Sequence, residues 1–262
     1  MTLLKHEIKM NLKTLLIWAF SVGILCAGCI LLFESLEESM RGMADAYSDM
    51  GAFSAALGMD QLNVSTLKGF YGTEVALMFA IGGAMFAAMT GAAMLSKEEE
   101  GHTCEFLVTL PLGRRSIFWW KYVGMVVLVI LFHFITVLFI LAGFAGIGEI
   151  LEGKTLALYH GVQLVMQLEV GSVCFLISAI SKRRQIGVSL GLAMLLYVAD
   201  LLCRVIPDIE NLKYITPYYF SNGADIFAKG QIETGMVGIG LTVILISVLA
   251  AAAVYGKRDL AA

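Results

Sequence analysis

Apolar positions along this chain gather into long unbroken runs separated by short polar stretches. Five such runs cover residues 15–33, 75–95, 122–148, 156–180 and 236–256. Each is close to or longer than the about 20 helical residues needed to cross a hydrocarbon core. A sixth run, 186–206, carries Asp200 and Arg204 near one end. None alternates with period two, and backbone amides in lipid must bond within their own segment, so the runs predict helices rather than barrel strands. The predicted fold class is therefore an all-α integral membrane protein with six transmembrane helices, residues 1–262 forming one transmembrane domain.

The polar stretches predict orientation. Lys5, Lys9 and Lys13 precede the first span; Lys97, Arg114, Arg115 and Lys121 lie between the second and third; Lys182, Arg183 and Arg184 lie between the fourth and fifth; Lys257 and Arg258 follow the sixth. These segments hold 12 of the 18 basic residues and all fall on one side of the bundle. The positive-inside rule makes that side cytoplasmic, with both termini, and leaves 34–74 and 207–235 as extracytoplasmic loops. Residues 34–74 carry seven acids against Arg41 and Lys68.

Composition agrees with this reading: 59% apolar and 15% charged residues, with a mean hydropathy of +0.83, lie outside the range of soluble domains. The net charge of −3 combines an acidic outer face with a basic inner one, which gives no indication of a nucleic-acid partner. Five scattered cysteines make neither a disulfide framework nor a zinc spacing and read as small core residues.

Three motifs suggest enzyme chemistry, and their context argues against it. Gly148-x4-Gly153-Lys154-Thr155 satisfies the phosphate-loop pattern, yet it sits in a short turn between two spans, follows no strand, and contains Glu149 and Glu152, which repel phosphate. Gly187-Val188-Ser189-Leu190-Gly191 matches a nucleophile elbow, but all four histidines precede Ser189; Gly187 and Gly191 read better as a small-residue face for close helix approach. His6-Glu7 lacks the second histidine of a zinc-protease helix.

Leu4, Ile8, Leu12 and Leu15 recur at helical spacing beside the stripe Lys5, Lys9 and Lys13. Residues 1–14 thus form either an interfacial helix, lying along the inner surface before the chain turns into the bilayer, or a basic flank of the first span. Residues 96–121 contain the acidic run Glu98, Glu99 and Glu100, then Phe106, Leu107 and Leu110, with Pro111 and Gly113 as stop signals. Acids at a helix start suit the helix dipole, so a short amphipathic cytoplasmic helix is expected there; a solvated charged loop is the alternative.

Taken in order, these features resemble the type-2 export permeases of ATP-binding-cassette transporters. The resemblance rests on the basic N-terminal helix and on Glu98-Glu99-Glu100 with Thr103-Cys104-Glu105-Phe106-Leu107, followed by Leu110 to Arg115 and Lys121. It extends to Tyr214-Ile215-Thr216-Pro217-Tyr218-Tyr219-Phe220 with Ala224-Asp225-Ile226 and Gly230, and to the tail Val254 to Leu260. It implies an export subunit for a drug, peptide, lipid or ion, in the plasma membrane of a bacterium. It also implies a second permease subunit, identical or related, and a separate ATPase that binds ATP and Mg, with no cofactor in this chain and lipids as further partners. Glu98, Glu99, Glu100, Thr103, Glu105, Phe106, Leu107, Arg114 and Arg115 are then the expected coupling residues. Gly101-His102 before Thr103 departs from the commoner pattern of Gly directly before Thr. A secondary transporter or channel is the competing reading, although no internal repeat supports it.

Ionisable groups inside a bilayer are costly and mark function or a partner. His133 and Glu169 fall at similar depth in the third and fourth spans, and His160, Gln163 and Gln167 share a face of the fourth. His133, Gln163, Gln167 and Glu169 are candidate pathway residues, Glu169 as a substrate or proton contact; a structural hydrogen bond from Glu169 to His133 or a neighbour is the alternative. Asp200 and Arg204, one turn apart, are expected to pair.

Overall fold

The computed structural model describes residues 2–48, 51–103 and 113–258, and every regular element among them is helical. In chain order the α-helices are α1 (Thr2–Ser48), α2 (Ala52–Leu57), α3 (Leu67–Phe70), α4 (Ala76–Met94), α5 (Lys97–Glu100), α6 (Arg114–Ile147), α7 (Gly153–Ile180), α8 (Ile186–Val205), α9 (Pro217–Phe220), α10 (Gly223–Lys229) and α11 (Thr234–Lys257), with a 3-10 helix at Pro207–Tyr214. A π-helical turn, Tyr71–Val75, joins α3 to α4 into one long helix, and among the described residues six helices have the length and apolarity to cross a membrane.

The helices are not equivalent. In the second and fourth spans 67% and 61% of the apolar core residues are buried, against 22% in the fifth and sixth. Thus α4 and α7 form the centre, while α1, α6, α8 and α11 surround it and present Leu31, Phe134, Leu195 and Leu245 outward. Glycines set the central spacing. A Cβ on Gly91 of α4 would lie 2.3 Å from the Gly171 carbonyl oxygen of α7, so the two backbones meet where neither has a side chain. On the other flank Gly143 of α6 lets Ala27 and Ile30 of α1 approach. The close approach expected at Gly187 and Gly191 is absent among the described residues, because a Cβ at either would meet nothing within 4 Å.

Four further expectations change. The chain does not turn between residues 14 and 15: α1 is one helix, about 70 Å long at 1.5 Å per residue. Neither proline nor glycine interrupts its first twenty residues. Its buried stripe keeps Leu15 but is displaced by one position at its start, from Leu4 and Ile8 to Leu3 and Glu7. Leu3, Glu7 and Leu15 point inward while Leu12 is 43% exposed, since Glu7 is drawn in by lysines of other helices.

The third and fourth concern the two long connections, which are largely helical. Residues 34–48 continue α1 beyond its apolar run, and the second span begins at Leu67, where Thr66 caps α3 by accepting from Gly69 N at 3.1 Å. Residues 216–228, within the stretch 207–235 expected as a loop, re-enter the bundle, while the 3-10 helix Pro207–Tyr214 before them has no buried residue. Thr216 and Asn222 cap α9 and α10, Gly230 ends α10 in the left-handed conformation, and Tyr218, Phe220, Ile226 and Phe227 are buried. Gly223 permits this docking: its Cβ would sit 2.5 Å from the Gly72 carbonyl oxygen in the π-helical turn.

Candidate functional site

The four basic clusters converge at one end of the bundle, where α5 forms a hub. Ser178 of α7 pins the end of α4 by accepting from Leu95 N at 3.0 Å and Ser96 N at 3.1 Å. That seats Glu98, Glu99 and Glu100 over three different elements. Glu98 accepts from Lys121 of α6 at 2.5 Å. Lys121 also donates to the Met94 carbonyl and to Glu7 of α1, each at 2.9 Å, and Lys97 holds the other Glu7 oxygen. The Lys121 and Glu7 side chains are wholly buried. Glu99 pairs with Arg258 beyond α11, and Arg258 in turn donates to the Ala179 carbonyl at the end of α7 at 2.7 Å. Glu100 receives the Arg184 backbone N–H at 2.6 Å and its guanidinium at 3.1 Å, which ties in the connection between α7 and α8.

Each glutamate is therefore paired with a cation, Glu99 in a buried position and Glu100 in an exposed one. A carboxylate buried away from water needs such a partner, and three acids in successive positions of one helical turn reach three directions. The exposed Glu100 carboxyl is held below the usual carboxylate range, first by the Arg184 side-chain hydrogen bond and then by the backbone one. Thr103 is exposed and returns its N–H to the Glu98 carbonyl at 2.9 Å. His102 just before it has φ +52°, the left-handed region that glycine occupies without strain. Arg114 reaches the Arg258 carbonyl at 2.7 Å, and Arg115 is exposed. Glu105, Phe106 and Leu107 lie outside the described residues.

A second polar set lies in the membrane interior. His133 Nδ1 is 3.1 Å from Gln167 Oε1, which joins α6 to α7, and His160 Nε2 is 3.1 Å from the Tyr71 hydroxyl. Phe79 presents its ring at right angles to both imidazoles. Gln163 donates to the Ser221 carbonyl at 2.8 Å, so α7 holds the re-entrant segment. His133 thus takes Gln167 rather than Glu169 as its partner. Glu169, 5% exposed, turns toward α11: a Cβ on Gly240 would be 2.5 Å from its Oε2, and that oxygen has no hydrogen-bond partner among the described residues.

At the opposite end Arg204 joins the expected Asp200 at 3.0 Å and also Asp225 at 2.6 Å, clamping α8 to α10. It donates to the Tyr219 carbonyl and stacks over the Tyr219 ring at 4.7 Å. Asp225 could not have been foreseen as a partner, since it lies beyond the span in a segment read as a loop. Nor could Glu7 with Lys121 or Glu99 with Arg258, whose partners lie far apart in sequence. The one local hint is that Glu7 interrupts what would otherwise be an apolar position on α1.

Six apolar helices around a glycine-packed centre, with charges sorted to the ends, make this a multi-pass membrane protein. A family model described as ABC-2 family transporter protein matches residues 1–260. The chain belongs to that family and is a membrane-spanning permease subunit of an ATP-binding-cassette transporter. No curated protein matches the chain.

Proposed function

We propose that this chain forms half of an export pathway, pairs with a second permease subunit, identical or related, and is driven by a separate ATPase that binds ATP and Mg at the basic end. That end is cytoplasmic in this reading, and the membrane is a bacterial plasma membrane. The observation that carries the mechanism is the α5 hub. Residues 96–121 include the connection between the second and third spans, and Glu98, Glu99 and Glu100 link it to α1, α6, α7, α11 and the connection before α8. A push on the segment by ATPase closure then reaches the ends of several spans together, which is what a change of access requires. Thr103, Glu105, Phe106 and Leu107, beyond the hub, supply the docking contact, while the three glutamates transmit the displacement inward.

The cargo is a drug, peptide, lipid or ion. Of the interior polar groups, Glu169 has a carboxylate oxygen with no hydrogen-bond partner among the described residues and faces the peripheral helix α11, so it is assigned as the substrate or proton contact. His133, Gln163 and Gln167 hold the central helices together.

The test is co-purification of the chain with the ATPase encoded beside it, followed by ATP hydrolysis and cargo export in vesicles. Phe106→Ala with Leu107→Ala is expected to abolish capture of the ATPase. Glu99→Gln is expected to leave capture intact and to lower export per ATP hydrolysed. An intact, helical chain that captures no ATPase refutes the partner, and normal export per ATP in Glu99→Gln refutes the hub as transmitter.

A further inference from the structure

A groove of about 660 Å³ opens at the basic end between the first turns of α6 and the last turns of α11. Arg114, Arg115 and Lys257 stand on its rim, and Phe118, Trp119 and Ala253 form its wall. No acidic side chain lines it among the described residues. Neighbouring cations are committed elsewhere, Lys97, Lys121, Arg184 and Arg258 each to a glutamate. Arg115 and Lys257 are exposed and have no ion-pair partner among the described residues. Arg114 bridges to the Arg258 carbonyl at 2.7 Å and so fixes the width of the opening. The first turn of α6 adds partial positive charge, because Gly113 offers no side-chain cap to its N–H groups.

The groove is divided as a phospholipid is divided. Cations sit at the level where the spans end, and an aromatic and aliphatic wall runs from there toward the bilayer. Trp119, 46% exposed, lies where an indole ring is favoured between headgroup and hydrocarbon. A free phosphate would use the rim and leave the wall wet; an acyl chain covers it. Basic pockets between membrane helices near the anionic leaflet take anionic headgroups for this reason. We infer that this groove binds one anionic phospholipid, its phosphate between Arg115 and Lys257 and one acyl chain along Trp119 and Ala253, bracing α6 against α11. The inference needs only the membrane location of the chain and stands independently of the ATPase.

The experiment is native mass spectrometry of the full chain in detergent, titrated with phosphatidylglycerol or phosphatidylcholine of matched chains. Wild type is expected to retain phosphatidylglycerol preferentially. At about fivefold per cation, Arg115→Gln with Lys257→Gln is expected to lose about 25-fold in apparent affinity. Lys5→Gln with Lys9→Gln, which removes two exposed charges from the same end, is expected to change little. Ala253→Phe fills the wall without touching a charge and is expected to weaken binding too, which keeps the inference testable if the double variant fails to fold. Equal retention of the two lipids overturns it, as does an equal loss in the Lys5 and Lys9 control. If the groove variant holds lipid normally and loses ATPase capture instead, the groove belongs to the ATPase and the lipid site is refuted.

Discussion

Lys121→Met tests the hub most directly. The ammonium is wholly buried and donates to Glu7 and the Met94 carbonyl at 2.9 Å and to Glu98 at 2.5 Å. Methionine keeps the length and apolar stem and removes the charge, leaving Glu7 buried with Lys97 as its one remaining cation. Removing one partner of a buried pair costs about 3–5 kcal/mol, chiefly because the other charge stays desolvated. At about 2–4 °C per kcal/mol for a chain of this size, melting in detergent should fall by about 10 °C. Glu7→Gln added to Lys121→Met removes the stranded charge, and the double variant should recover about half of that loss. The assay is thermal unfolding followed by tryptophan fluorescence, with helicity checked by circular dichroism. A single variant that melts within about 2 °C of wild type would show that the Glu7–Lys121 contact is solvated and that the hub holds nothing together.

Gly91→Ala should destabilise the chain by about 1–3 kcal/mol, because its methyl meets the Gly171 carbonyl oxygen at 2.3 Å and forces α4 from α7; Gly187→Ala, facing open space, should melt as wild type does. His102→Gly should stabilise by about 0.5 kcal/mol, the left-handed backbone strain of about 1–2 kcal/mol being partly offset by the entropy of glycine, and a lowered melting temperature would argue for a contact of the imidazole. The Glu100–Arg184 contribution is present above the ordinary carboxylate pKa and is lost as pH falls through the lowered folded value, so Glu100→Gln should flatten the acid side of the melting-temperature profile and leave the neutral region nearly unchanged. An unaltered acid limb in that variant would place the low-pH loss on other carboxylates.

Apolar run length and the distribution of lysine and arginine were enough to define the fold class, the number of spans and the end at which the basic segments meet. These are local properties: a helix needs about 20 apolar residues to cross lipid whatever its neighbours do. The caps of the re-entrant segment were equally local, since Thr216-Pro217 and Asn222 to Gly230 carry their start and stop signals in the chain itself. Its burial was not, because Tyr218 and Phe227 look like interfacial aromatics until Gly72 and Gly223 bring two backbones together. The same limit applies to charge. Glu98, Glu99 and Glu100 announce a helix start, and a reading of isolated segments leaves them pointing at solvent or a partner. Tertiary structure decided that they point at Lys121, Arg258 and Arg184, since only the packing of α1, α6, α7 and α11 brings those cations within reach. Likewise Gly91 and Gly187 look alike in sequence, yet one lies against a backbone and the other faces outward, because helical period specifies a face and the neighbouring helices decide what that face meets.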